Sequence, residues 1–272
     1  MDFEKAKNAV LESTKEQRNE LNGWGIGTLS EKTVHAVLKR YYEPDEDYHE
    51  VPVNGKVADI YRDGEIIEIQ TRAFNKLRDK LDKFLPEYKV TIVYPIAHEK
   101  NLIWIDDTTG ETSKKRKSPK RGSYTDAFYE LYKIKSYLNH PNLFLKLVLL
   151  DVDEYRLLNG WSKDRKKGSS RYDRIPSKLV GEVSIERVED YVMLLPIELE
   201  DEFTVKDYAT TAHIYEETAR LGLHIMNYIG AIELVGKRGK SNLYRICYIY
   251  CIYNLTNNNN NNNIIVRVRS LL

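Results

Sequence analysis

A mixed α/β or α+β fold is predicted, with a central mixed sheet flanked by helices. Helix-period and strand-period segments alternate along the 272 residues. Two turn dipeptides, Asn54-Gly55 and Asp63-Gly64, lie close enough to fold a three-strand meander. An uninterrupted apolar run, Leu143–Val152, has the composition of a buried strand.

Residues 2–20 read as a polar amphipathic helix. Asn22–Gly27 is a glycine-rich break, but its spacing is not that of a phosphate loop and no strand precedes it. Ser30 then caps a helix with Glu31 at its first position and Val34, Val37 and Leu38 on its apolar face. Strands follow at Tyr48–Val53, Val57–Tyr61 and Glu65–Thr71, joined by the two turns. Residues 74–86 return to helical spacing through Leu77, Leu81, Phe84 and Leu85. Lys89–Ile96 and Leu102–Ile105 read as two short strands, and Tyr124–Leu138 as a helix stopped by His140-Pro141. Basic loops are expected over Lys114–Arg121 and Ser162–Arg174.

A net charge of +1 conceals this local asymmetry. Basic loops on a nearly neutral chain suit an anionic partner contacted locally, or two solvated loops. Twenty tyrosines against six phenylalanines suit half-wet surfaces, or reflect an AT-rich genome. Cys247 and Cys251 are the only cysteines, too few for a disulfide framework or a zinc ligand set. The first twenty residues are charged throughout, unlike a signal peptide, and no apolar run could span a bilayer. A soluble protein of the reducing cytoplasm is expected.

The chemistry concentrates in Val57–Thr71. If Asp63-Gly64 forms a two-residue turn, Arg62 faces Glu65, Tyr61 faces Ile66 and Asp59 faces Glu68. Gln70 shares the face of Glu68, while Ala58, Ile60, Ile67 and Ile69 line the other. Opposed carboxylates repel unless a cation bridges them. Two hard oxygen donors with open positions suit Mg²⁺, and Mg²⁺ in turn suits phosphodiester cleavage. The same pattern also fits a plain exposed polar face. His35, one turn after Glu31, either joins this site or is a surface residue. Asp151 and Asp153 mark either an active-site rim or a turn after the apolar strand.

The stretch resembles the PD-(D/E)XK nuclease superfamily, the restriction-endonuclease-like fold. The resemblance covers roughly residues 20–155 as a pattern of elements and four polar positions: Glu31, Asp59, Glu68 and Gln70. It implies that Asp59 and Glu68 ligate Mg²⁺, that the Ile69 carbonyl completes the site, and that Glu31 assists through water. The departure is Gln70, where the family pattern prefers Lys. Gln hydrogen-bonds a water but brings no charge. An inactive, binding-only domain therefore stands as the alternative.

Toward the C-terminus, Phe203–Ala209 reads as a short helix with Thr204 as N-cap, and Ala219–Tyr228 as a second helix. Ile229–Ile246 reads as a hairpin with Gly236-Lys-Arg-Gly239 at its tip. Two helices and a basic hairpin resemble a winged helix-turn-helix. The resemblance implies a recognition helix over 218–228 in the major groove, with Tyr215, Thr218, Arg220 and His224 near the DNA. Lys237, Arg238 and Lys240 would meet phosphates from the wing.

The expected organisation is a nuclease-like domain over 1–195, a winged-helix DNA-binding domain over 203–250 and a low-complexity tail over 254–272 carrying Asn257–Asn263. The expected function is that of a Mg²⁺-dependent, restriction-type endonuclease acting on double-stranded DNA as a homodimer, hydrolysing phosphodiester bonds with metal-activated water. Lys114, Lys115, Arg116, Lys117, Lys120, Arg121, Lys166, Lys167 and Arg171 would grip the backbone. The alternative is a DNA-binding regulator or accessory subunit with an inactive nuclease-like domain.

Overall fold

The computed structural model describes residues 1–20, 33–161, 167–247, 250–252 and 266–268. The chain divides into two compact units, residues 1–71, 93–123 and 147–182 in the first and 72–92, 124–146 and 183–272 in the second. The fold is mixed α+β, with a central mixed sheet flanked by helices. The sheet has seven strands in the order β1-β2-β3-β4-β6-β7, with β5 pairing against β4.

In the first unit, α1 (Phe3–Glu20) and α2 (Thr33–Tyr42) precede the meander of β1 (His49–Val53), β2 (Lys56–Arg62) and β3 (Glu65–Ile69). Asn54 and Gly55 have φ of 47° and 75°, Asp63 and Gly64 50° and 83°. Paired positive φ is what a two-residue hairpin of right-handed twist requires, so both turn dipeptides fold as their chemistry dictates. Val34, Val37 and Leu38 of α2 are buried with Phe3, Ile69, Val93, Val148, Leu150 and Val152. That core fixes which face of α2 turns toward the sheet.

β4 (Lys89–Ile105) is one strand of 17 residues, where two short ones were expected. Pro95 and the charged stretch after it interrupt the apolar pattern but not the extended backbone. β5 (Arg116–Lys117) pairs with Asn101 and Leu102 of β4, so the expected basic loop contains an edge strand. β6 (Leu143–Trp161) and β7 (Lys167–Ile185) have 19 residues each. Gly168–Arg174 therefore lies in a strand and not in the expected loop. Asp151 and Asp153 are mid-strand residues and form no turn: Asp151 accepts from the Glu99 N–H at 3.1 Å and Asp153 from the Asn101 amide at 2.9 Å.

The second unit holds α3 (Arg78–Phe84), which continues a 3-10 turn over Phe74–Leu77. The helix expected over 124–138 is broken. A 3-10 turn leads into α4 (Phe128–Leu131), and the following 3-10 segment carries non-helical Ile134, at φ −119° and ψ 22°. β8 (Glu202–Phe203), α5 (Val205–Thr211), α6 (Glu216–Ile229), β9 (Ile232–Arg238) and β10 (Ser241–Ile246) follow, with the three strands ordered β8-β10-β9. Two short strands, β11 (Tyr250–Ile252) and β12 (Val266–Val268), pair with each other. The segment expected as a separate domain, 203–250, lies in the same unit as 72–92 and 124–146.

Thr204 caps α5 as its sequence predicts. The Asp207 N–H donates to the Thr204 hydroxyl at 3.3 Å, and the Thr204 N–H donates back to the Asp207 carboxylate at 2.8 Å. Thr204→Ala is expected to cost about 1 kcal/mol, the usual cost of losing such a cap. A urea midpoint equal to that of the wild type would show that this cap contributes nothing.

Candidate functional site

The paired register of β2 and β3 runs Arg62↔Glu65, Tyr61↔Ile66 and Ile60↔Ile67, as the turn predicts. Next to that ladder, Asp59 takes a different role. Its Oδ2 accepts the Ile69 N–H at 2.7 Å, so a side chain of one strand holds the backbone of the other. The same oxygen lies 3.1 Å from His35 Nε2 on α2. His35 therefore belongs to the site and is not simply a surface residue. The Gln70 N–H donates to the Val93 carbonyl at 2.9 Å, which ties the end of β3 to β4.

An exposed polar face is ruled out for this hairpin. Asp59 is 9 % exposed and Glu68 only 2 %. Ile66 is fully buried, and it shares the face of Glu68 because it lies two residues before it. Carboxylates taken from water are costly unless paired or hydrogen-bonded. The two contacts to Asp59 Oδ2 offset that cost and fix the orientation of its carboxylate. Among the described residues, no three His, Cys, Asp or Glu groups converge as a metal ligand set. Glu31 lies outside the described residues.

The basic stretch 114–121 is partly neutralised within its own unit. Lys115 pairs with Asp153 at 2.5 Å, while Lys117 and Arg121 both pair with Glu99 at 2.7 Å. Two cations beside one acid hold the Glu99 carboxyl below its ordinary pKa, first through the Lys117 hydrogen bond. Lys114, Arg116 and Lys120 are exposed and have no ion pair among the described residues. Lys166 lies outside the described residues, and of Lys167 only the strand backbone is described. Arg171, on β7, pairs with Glu154 at 3.5 Å.

In the second unit, Thr218 is buried and its hydroxyl meets Tyr129 Oη at 2.9 Å, so it faces packing and not solvent. His224 lies 3.0 Å from the Lys135 amine and against the Tyr132 ring. Arg220 is exposed, with Glu216 at 3.8 Å. Tyr215 is exposed at the start of α6. On the hairpin, Lys237 and Lys240 are exposed. Arg238 is held by the Asp207 carboxylate at 3.1 Å and the Glu202 carbonyl at 3.0 Å.

Sequence reasoning places Arg171 and Arg174 in a basic segment but misses Glu154 and Arg156, which share that part of the sheet. Glu154 and Arg156, two apart in a strand, share one face, and that spacing is the signal that could have found them. A family model described as a domain of unknown function, DUF8091, matches residues 32–186, more than half of the chain. The chain belongs to the DUF8091 family. The DUF8091 region contains His35, Asp59, Glu68, Gln70 and Glu154, and stops before α5 and α6. An uncharacterized protein of Treponema pallidum (strain Nichols) is 30% identical over 227 residues, covering 81% of this chain and 87% of the relative. No solved structure matches. Among the described residues, no helix is long and apolar enough to cross a membrane.

Proposed function

We propose that this DUF8091 protein is a Mg²⁺-dependent endonuclease of restriction type that acts on double-stranded DNA as a homodimer. The reading is carried by one observation: Asp59 is buried, oriented by the Ile69 N–H and His35, on the strand hairpin that also bears buried Glu68. Buried carboxylates are hydrogen-bonded, paired or metal-bound, and two of them on one hairpin supply the hard oxygen donors that a divalent cation takes.

The donor chemistry fits Mg²⁺, which is commonly held by one or two carboxylates with waters and substrate phosphate completing its shell. Asp59 and Glu68 would hold it, with the Ile69 carbonyl as a further oxygen donor and Glu31 assisting. Bound there, Mg²⁺ would supply a lowered pKa for water and charge to stabilise the scissile phosphate. The protein side of the reaction is positional. The Ile69 N–H and His35 hold the Asp59 carboxylate, and the Gln70 amide hydrogen-bonds the attacking water. Lys114, Arg116 and Lys120 attract the DNA backbone. The α5–α6–hairpin segment, read as a winged helix, adds duplex affinity through Arg220, Lys237 and Lys240.

The depth of Glu68 and the uncharged Gln70 favour a second reading, a DNA-binding regulator whose nuclease-like site is silent. Supercoiled plasmid incubated with the protein in Mg²⁺ or in EDTA separates the two. Endonuclease activity predicts Mg²⁺-dependent nicks or linear product from the wild type and none from Glu68→Gln. Plasmid that is shifted on a gel yet never cut, in Mg²⁺ as in EDTA, would sink the nuclease reading in favour of the regulator.

A further inference from the structure

The second unit contains a cavity of about 290 Å³ between the turn at His140-Pro141 and the 3-10 segment Val188–Leu194. Buried Leu138, Leu143 and Ile185 give it an apolar wall. Tyr191 also lines it and is only 3 % exposed. The Tyr191 hydroxyl has no hydrogen-bond partner among the described residues. Tyr208, another buried tyrosine of this unit, donates its own to the Leu194 carbonyl at 2.9 Å. Yet among the described residues no fully buried side-chain oxygen or nitrogen is left unsatisfied. The Tyr191 hydroxyl is therefore not sealed in the core: it opens on the cavity. His140 adds a second polar group. Its Nδ1 accepts the Asn142 N–H at 3.2 Å, so the ring is neutral and carries its proton on Nε2. Both sides are held in place. The Leu143 N–H donates to the His140 carbonyl at 3.0 Å and the Asn142 amide to the Leu85 carbonyl at 2.9 Å. Opposite, the Glu186 and Arg187 N–H groups both donate to the Asp190 carboxylate at 2.9 Å.

If packing were the whole role of Tyr191, phenylalanine would serve as well and leave no hydroxyl to satisfy. The volume lies at the lower end of small-molecule sites, which begin at about 300 Å³. It suits one ring system. A hydrocarbon guest would leave the hydroxyl and the imidazole N–H unpaired. A sugar would set its own hydroxyls against leucine and isoleucine. A charged group would find no counter-ion inside, because Tyr191 and His140 are neutral. At the mouth, exposed Glu186 offsets exposed Arg187, which also has Asp190 at 3.8 Å. The guest that fits is a neutral ring with apolar faces and a hydrogen-bonding edge. Nucleobases are such rings, and a base taken out of its stack is held by edge hydrogen bonds between apolar side chains.

We propose that this cavity binds a neutral heterocycle of nucleobase size, held at its edge by the Tyr191 hydroxyl and the His140 Nε2–H. The chemistry of the guest stands on the cavity alone. A free nucleoside and a base turned out of a DNA strand both supply it, and only the second source rests on the DNA reading above. The site lies outside the region matched by the DUF8091 model at Tyr191 and Val188, and it shares no residue with the Asp59 hairpin.

Binding in EDTA tests this without any dependence on cleavage. Saturation-transfer NMR titrations of the whole protein with each of the four deoxynucleosides form one arm. The other is a duplex oligonucleotide carrying 2-aminopurine, whose fluorescence rises when that base leaves the stack. Both arms compare the wild type with Tyr191→Phe and with Val188→Phe, which puts a ring into the cavity. Tyr191→Phe is expected to weaken binding about fivefold, the share of one neutral hydrogen bond. Its urea midpoint should match the wild type, since no internal hydrogen bond is lost. Val188→Phe should abolish binding. Nucleoside binding that follows this pattern, with no change in 2-aminopurine fluorescence, supports the site with a free nucleoside as guest. A fluorescence rise that both variants reduce supports it with a base turned out of DNA. Binding in neither arm overturns the proposal, as does binding that Tyr191→Phe leaves unchanged. A protein that holds bases through Tyr191 yet never cuts DNA leaves this site standing while the nuclease reading fails. Mg²⁺-dependent cutting with no signal in either arm does the reverse.

Discussion

Asp59→Asn is expected to reduce DNA cleavage by about 100-fold or more while the protein stays folded. Asn has nearly the same shape, and its amide oxygen can still accept the Ile69 N–H that Asp59 now holds at 2.7 Å. What disappears is the negative charge that would bind the cation and face His35 at 3.1 Å. Partners one shell removed from a metal typically cost about 10- to 100-fold on mutation, so a ligand itself should lie at or beyond the top of that range. Plasmid cleavage and a urea melt on the same preparation make the check. Cleavage at the wild-type rate would remove Asp59 from the chemistry. A loss of activity matched by a collapse of the unfolding midpoint would make Asp59 a purely structural carboxylate.

Gly222→Ala is expected to destabilise the protein by about 2 kcal/mol, although Ala is the better helix former by about 1 kcal/mol. Gly222 lies within α6, against the ring of Phe128. A Cβ built there would sit 2.4 Å from Phe128 Cε2, 2.7 Å from Cζ and 2.8 Å from Cδ2. Phe128 is fully buried, so its ring cannot move aside without displacing other core groups. Chemical denaturation gives the loss directly, and Phe128→Leu in the Gly222→Ala background should recover part of it. A higher midpoint for Gly222→Ala alone would show that the ring has room to retreat.

What can be read in the sequence is set by the range of the forces involved. Asn54-Gly55, Asp63-Gly64 and the Thr204 cap act over two to four residues, so turns, register and helix start are all legible from local sequence. The apolar stripe of α2 is legible for the same reason. The length of β4 is not, because strand pairing with distant segments carries the chain through Pro95 where local pattern suggests a stop. The break at Ile134 is likewise hidden, since the residues around it have ordinary helical spacing.

The candidate site divides along the same line. The polar quality of Asp59, Glu68 and Gln70 is visible, but the burial of the two carboxylates depends on what covers the hairpin, which no local pattern encodes. The contact of His35 with Asp59 joins residues 24 apart. The pairing of Lys117 and Arg121 with Glu99 joins separated parts of the chain in the same way, so a run of basic residues overstates its free charge. Thr218 reads as a surface position of a groove-reading helix because the partner of its hydroxyl, Tyr129, lies 89 residues away.

Asp173 acts beyond its own hydrogen bonds. It sits immediately before Arg174 on β7, and its carboxylate receives both the N–H, at 3.4 Å, and the hydroxyl of Thr33, the first residue of α2. Two residues further along that helix is His35, and beyond it Asp59. Strand β7 and the carboxylate on the hairpin are thus mechanically in series. A shift of this part of β7 must either break the Thr33 contacts or be passed to the imidazole. The orientation of the Asp59 carboxylate is thereby tied to a strand on the far side of the sheet, through one turn of helix.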